Sequence, residues 1–316
     1  MNLRRWIKRG LFGLVALVAV LVFGVLPYFL AAQVTSRRFN FRDRENAGLT
    51  PASFQLTFED VAFQSKDGVP LKGWWVPADN ARGTAVLVHG LNRSRIEMVR
   101  KVPFLHARGW NALLFDQRGH GESGGTVRSL GFHEREDVHA AIAFARGRAG
   151  EPVAVWGVSL GAAAGMLAAA EDPQVAAVVS DSSFRSLRDT ARHHLQMARS
   201  FRWYLRLVPS WPLADEVVFW IGRKGGFDPD ALDVRAAAAH LGGRPVLFVC
   251  NTGDKRMPPQ IAFELKEAAG ARARVLVIPG TSHGGAWREG TPAYEHAVED
   301  LLKEAVDGGP VRMAAR

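Results

Sequence analysis

The first pattern along the chain is a run of 22 uncharged, mostly apolar residues, LFGLVALVAVLVFGVLPYFLAA, from Leu11 to Ala32. At about 1.5 Å per residue a helix of that length reaches roughly 33 Å, enough for a hydrocarbon layer of about 30 Å. A cleaved secretory signal has a shorter apolar stretch, about 7–15 residues, ending in a small-x-small site. Here a cut after Ala32 would put Leu30 where a small residue belongs, and no cysteine follows for lipid attachment. The segment therefore reads as a retained signal anchor rather than a cleaved signal or a buried core helix.

Residues 33–55 are polar and read as a linker. Beyond them, FQLTFEDVAFQ (54–64) and VPLKGWWVP (69–77) flank Lys66-Asp67-Gly68, a hairpin signal. Short β-branched runs follow at 84–90, 110–116, 153–157, 175–181, 245–250 and 274–280. Their consecutive apolar positions suit strands covered on both faces. Helix-like stretches at 94–108, 133–149, 160–171, 258–269 and 291–307 alternate with them, which predicts a parallel sheet between helical layers. The interval 183–244 is too long for a plain connection and carries its own helical pattern, as a cap over the strand ends would. The chain thus divides into a basic tail (1–10), an anchor (11–32), a linker (33–55), one α/β domain (56–309) and a C-terminal tail (310–316).

Composition sharpens this. Of 316 residues 47% are hydrophobic and 22% charged, ordinary for a globular core. The single cysteine, Cys250, excludes a disulfide framework and a multi-cysteine metal site. The net charge of +9 first suggests nucleic acid or an anionic membrane as partner. Most of it, however, flanks the anchor (Arg4, Arg5, Lys8, Arg9; then Arg37, Arg38, Arg42, Arg44 against Asp43 and Glu45) or trails at Arg312 and Arg316. The body over 49–309 keeps only +1, so a nucleic-acid interface loses its support. The first cluster is undiluted by acids, so the positive-inside comparison places the N-terminus in the cytoplasm and the domain outside. Oligomeric state is left open.

The decisive chemistry lies in Val153 to Ala170, VAVWGVSLGAAAGMLAAA. Gly157-Val158-Ser159-Leu160-Gly161 is a G-x-S-x-G elbow with a buried strand before it and a small-residue helix after it. Side chains two positions either side of the serine would collide in so tight a turn. Ser159 needs a base, and the base needs an orienting acid. Among ten histidines only His283, in PGTSHGG, is both late in the chain and in a Gly-rich loop after a strand. His193 and His194 fall in the cap, His120 follows a turn and His89 ends a strand. For the acid, Asp254 in NTGDKRMP leads and Asp181 in SDSSF is the alternative. Asp116 in FDQRGHGES reads as a loop-fixing residue. Two preorganised N–H donors must hold an oxyanion, and the amides of Leu160 and of Leu91, after His89-Gly90, stand in the expected places.

These residues resemble the α/β-hydrolase superfamily, near its membrane-anchored serine hydrolases of the serine-aminopeptidase and monoglyceride-lipase branch. The likeness rests on VHG (88–90), DQRGHGES (116–123), GVSLG (157–161), GDKRMP (253–258) and SHG (282–284), and covers roughly 56–307. It departs at the acid loop, CNTGDKRMP, where relatives often carry His-Gly before the acid and valine or isoleucine before the proline. It implies an eight-stranded, mostly parallel sheet and a Ser–His–Asp mechanism without metal or cofactor. The serine at 159 separates the chain from branches that use Cys or Asp there. The expected activity is cleavage of carboxylic esters, lipid-like acyl esters included. A peptidase or amidase with the same triad, and a catalytically silent membrane-bound interaction module, are the alternatives.

Within the near-neutral body, residues 185–224 hold eight basic residues against Asp189, Asp215 and Glu216. At about 100° per residue, Arg188, Arg192, Arg199, Arg202 and Arg206 share one arc of roughly 80°. Leu187, Ala191, Ala198, Phe201 and Leu205 lie on the adjacent arc, and the helix stops near Pro209. Such a face is either solvated or rests on anionic lipid headgroups.

Overall fold

The structure, a computed structural model, describes residues 3–37, 46–150, 152–201, 206 and 210–307. Arg38, Arg42, Asp43, Arg44 and Glu45 of the second charged cluster, Arg202, Leu205 and Pro209 of the cap, and the tail residues Arg312 and Arg316 lie outside them. Eight strands form one sheet: β1 (Glu59–Gln64), β2 (Pro70–Val76), β3 (Gly83–Val88), β4 (Trp110–Phe115), β5 (Val153–Val158), β6 (Val175–Asp181), β7 (Val246–Asn251) and β8 (Ala273–Ile278). Their spatial order is β1-β2-β4-β3-β5-β6-β7-β8. β1 pairs antiparallel with β2, and β2 with β4; all other neighbours are parallel. This is the eight-stranded, mostly parallel sheet that the resemblance implied.

The central strands are fully buried along their length because both faces are covered. Val86, Val88, Val153 and Val155 point into one apolar layer with α4 (Glu134–Ala149), α5 (Leu160–Glu171) and α9 (Pro259–Ala269). Ala85, Leu87, Ala154 and Trp156 point into the other, with α3 (Val102–His106) and α11 (Thr291–Asp307). The predicted helix at 94–108 is a 3-10 segment, Arg95–Lys101, followed by the short α3, since Pro103 cannot donate an intrahelical bond.

Between β6 and β7 the chain forms α6 (Leu187–Phe201), α7 (Ser210–Gly225) and α8 (Val234–Ala239). α6 and α7 pack against each other. Val234, Ala237 and Ala238 of α8 are buried in the layer of α5 and α9, as are Leu187 of α6 and Val218 and Ile221 of α7.

At the N-terminus, α1 (Leu3–Val20), a π-helical segment (Leu21–Val25) and α2 (Leu26–Thr35) make one long apolar helix. Its first two turns and most of its apolar run are exposed, but Pro27, Ala31 and Thr35 of α2 are buried against the domain. There Tyr28 meets Trp220 of α7 edge to face, ring centroids 5.2 Å apart, and Lys224 Nζ stands 4.6 Å above the Tyr28 ring. Just beyond, Arg37 donates to the carbonyls of Gly121 and Ser123, each at 2.9 Å, and the Arg128 amide donates to the Thr35 carbonyl at 2.8 Å. The helix is thereby tied to the domain at 35–37, inside what composition alone reads as linker.

Candidate active site

Ser159 sits between the end of β5 and the first residue of α5 with φ 53° and ψ −112°. A non-glycine residue in that region is strained, and the surroundings must impose it. They do so through the flanking glycines. A Cβ on Gly157 would strike the Gly161 carbonyl, and one on Gly161 would strike the carbonyls of Val88 and His89 at the end of β3. The Ser159 amide is held by the Asp181 carbonyl at 2.8 Å. The side chain is left half-buried, above the start of α5.

His283 lies in the loop after β8. Its Nε2 is 2.9 Å from Ser159 Oγ, and its Nδ1 is 2.7 Å from Asp254 Oδ2. Asp254 follows β7, with its side chain 1% exposed. Burial pushes its carboxyl up, but the hydrogen bond and charge of His283 and the amides of Met257 and Arg256 outweigh that and hold it below the usual value. Those amides donate to Asp254 Oδ1 at 3.1 and 2.8 Å. The acid and histidine loops are laced together by Thr252 N–H to the Ile278 carbonyl at 2.9 Å and Gly253 N–H to the Gly280 carbonyl at 2.7 Å. Three side chains from three strand ends thus form one hydrogen-bonded line, Asp254–His283–Ser159.

Asp181, the alternative acid, is fully buried and turned elsewhere. It accepts from Ser182 Oγ at 2.8 Å and from the Tyr294 hydroxyl at 3.0 Å. Ser182 Oγ in turn accepts the Gly284 amide at 3.2 Å, so Asp181 braces the loop that carries His283. Asp116 accepts from the Arg95 amide and guanidinium at 2.7 and 2.8 Å, which fixes its loop.

The loop after β3 passes directly over the serine: a Cβ on Gly90 would lie 3.7 Å from Ser159 Cβ. Leu91 follows at this approach. Leu160 opens α5, where amides have no intrahelical acceptor. Two histidines tie this loop down. His89 Nε2 accepts the Gln117 amide at 3.1 Å and its Nδ1 donates to the Gly90 carbonyl at 2.8 Å. His120 Nε2 accepts the Asn92 amide at 3.3 Å while its Nδ1 donates to the Arg118 carbonyl at 2.9 Å. Burial lowers both pKa values, so both rings are neutral and fully occupied.

Two residues here escape sequence reasoning. Glu97 Oε2 accepts the Gly90 amide at 2.6 Å. Ser94 and Glu97 are spaced like a helix start, which hides the contact. Lys101, buried on the same 3-10 segment, has nothing in its local pattern to mark it. Both line an open cavity of about 650 Å³ beside His283, bounded also by Trp287 and Arg288. Among the described residues no group of three or more His, Cys, Asp or Glu side chains is placed to hold a metal ion.

On the cap, Arg188 pairs with Asp215 at 2.7 Å and Asp230 at 2.8 Å, and Arg192 with Asp215 at 3.1 Å. Arg185 pairs with Asp189 at 2.9 Å and Glu264 at 2.6 Å. The excess charge counted over 185–224 is therefore partly neutralised by acids outside that window. His193 Nε2 faces the Lys255 carbonyl at 2.7 Å.

Known proteins place the chain consistently. A family profile described as serine aminopeptidase, S33, matches residues 79–229. The protein YfhR of Salmonella typhi is 32% identical over 278 residues, 82% of this chain and 84% of its own. The α/β-hydrolase domain-containing protein WAV2 of Arabidopsis thaliana is 26% identical, over 78% of this chain and 79% of its own. Among solved structures, an esterase of Pyrococcus furiosus superposes with a TM-score of 0.65 at 24% identity, covering 81% of this chain and 94% of that one.

Proposed function

This chain belongs to the α/β-hydrolase superfamily, in its serine-aminopeptidase branch, and from that premise we propose that it is a membrane-anchored serine hydrolase of carboxylic esters. The observation that carries the proposal is the line Ser159–His283–Asp254, with 2.9 and 2.7 Å between the heteroatoms, built on a strained elbow. Ser159 Oγ attacks the ester carbonyl as His283 Nε2 takes its proton. Asp254 keeps the imidazole in the right tautomer and stabilises its cationic form. The amides of Leu91 and Leu160 hold the oxyanion. His283 then protonates the departing alkoxide, and water repeats the sequence on the acyl-enzyme.

The apolar helix through Leu11–Ala32 supports single-pass anchoring, with the domain outside the cytoplasmic face. Its lower end is seated on α7, and exposed Phe201, Trp211 and Phe219 stand on the same cap. These aromatics, with Arg199 near the end of α6, favour a cap resting on the bilayer and a lipid-like acyl substrate. The family profile's aminopeptidase description favours a second reading, amide cleavage by the same triad. The experiment that separates them is a panel of aryl esters of rising acyl length beside amino-acid anilides. Turnover of esters with little on anilides is the expected result, and the reverse preference would replace the ester reading with the second.

A further inference from the structure

The cavity beside His283 is unusual for a lipid-type site because its wall is charged. Four cations (Arg93, Arg100, Lys101, Arg288) face two carboxylates (Glu97, Glu295). Glu97 is already engaged, by the Gly90 amide at 2.6 Å and by Arg93 at 3.5 Å. Arg100 donates from Nε to the neutral amide oxygen of Asn46, at 2.8 Å, and pairs with no carboxylate among the described residues. Lys101 is the stronger observation. It is 4% exposed, and among the described residues no carboxylate lies within 4 Å of its ammonium. Nζ instead stands 5.5 Å from the Trp287 ring centroid and 5.7 Å from that of Trp156.

A buried ammonium without a hydrogen-bonded anion is costly. Burial lowers the Lys101 pKa, against the charges of Asp181 and Glu97, which act from a distance. A ligand anion in the cavity would supply the missing partner. The cavity also borders the proposed base. It is lined by His283 and Gly284, and His283 Nε2 is the atom that must hand its proton to the leaving alcohol.

Resting on the hydrolase reading above, we infer that this cavity is a leaving-group subsite for an anionic alcohol, with Lys101 and Arg100 recognising a phosphate or carboxylate on it. The preferred substrates are then esters whose alcohol arm ends in a negative charge and whose acyl arm lies elsewhere. Phosphate and carboxylate share the required chemistry, an anionic oxygen within reach of two cations, and both are tested.

The experiment uses the full chain in a neutral detergent and one acyl group, butyryl, on four alcohols: glycerol 3-phosphate, 3-hydroxybutyrate, glycerol and choline. At least one anionic ester is expected to exceed the glycerol ester in kcat/KM by about tenfold or more, with the choline ester slowest. In Arg100→Gln and Lys101→Met that ratio should fall to within about threefold. Should Lys101→Met fail to fold, the exposed Arg100→Gln carries the comparison. Four esters of equal kcat/KM, or an anionic preference that survives both substitutions, would overturn the inference. Covalent labelling of Ser159 by a fluorophosphonate in the same preparation keeps the two levels apart. A labelled protein without anion preference overturns the subsite alone, and an unlabelled one overturns the hydrolase reading beneath it.

Discussion

Glu97 Oε2 accepts the backbone N–H of Gly90 at 2.6 Å, and a Cβ at Gly90 would lie 3.7 Å from Ser159 Cβ. One carboxylate thus holds the loop whose Leu91 amide is the proposed donor to a substrate oxyanion. Glu97→Ala leaves that N–H without its acceptor. The expected result is a kcat lower by roughly 10–100-fold with KM changed little, as the lost bond is worth about 1–3 kcal/mol. Glu97→Gln, which keeps an acceptor oxygen, should recover most of the loss. Steady-state kinetics on one aryl ester decides it.

Asp254→Asn keeps the size of the acid and removes its charge. The amide can donate to His283 Nδ1 and trap the wrong tautomer. A fall in kcat of about 10⁴ is expected with folding retained, as for buried triad acids in general. Asp181→Asn, by contrast, alters a brace rather than the line through His283, and should cost less activity than Asp254→Asn. Parallel kinetics and thermal melts check both.

The two glycines of the elbow are steric requirements. Gly161→Ala would drive a methyl into the carbonyls of Val88 and His89. A loss of at least about 2 kcal/mol is expected, or a melting point lower by about 4–8 °C. Gly147→Ala on the exposed face of α4, where nothing lies within 4 Å, is the matched control and should stabilise by up to about 1 kcal/mol. Calorimetry on the two variants gives the contrast.

Acid should loosen the loop over the site. His89 and His120 are held below the ordinary value of 6.5 by burial, and His194 is pushed down to about 4 by burial and by Arg256. Below pH 6.5 the unfolded chain therefore binds more protons at these rings than the folded one, so their contribution to stability falls with falling pH. Each contributes a slope of up to about 1.4 kcal/mol per pH unit between 6.5 and its folded pKa. Denaturant titrations between pH 7 and 4.5 should show a shallower decline for His120→Gln than for the unchanged chain.

Topology is testable through the single cysteine. Cys250 is buried, and burial with the nearby charges of Asp181 and Asp254 pushes its thiol up to about 11, so it should stay silent to maleimide. Asp79→Cys places an exposed thiol on the domain. With the domain outside, an impermeant maleimide labels this variant in intact cells. Protection until the membrane is breached would reverse the orientation.

The strands and helices were legible because their signals are local: consecutive apolar residues in 84–90, 110–116 and 153–157 answer to β3, β4 and β5. Ser159 was legible because its two glycines must flank it in sequence, and the late Gly-rich position of His283 pointed to the loop that the structure brings to it. Glu97 and Lys101 were not, since their meaning comes from Gly90, Trp156 and Trp287, which only the fold brings near. The cap charge was partly misleading for the same reason. Asp230 and Glu264 neutralise Arg188 and Arg185 from outside the window in which the charge was counted.

Ser159, activated by His283 and Asp254, is the proposed nucleophile. Full-length protein in detergent, treated with a fluorophosphonate and read by intact mass and peptide mapping, tests it most directly. One adduct per chain is expected, located on Ser159, absent in Ser159→Ala and strongly slowed in His283→Ala. Labelling that persists in Ser159→Ala, or a folded wild-type chain that never labels, would contradict it.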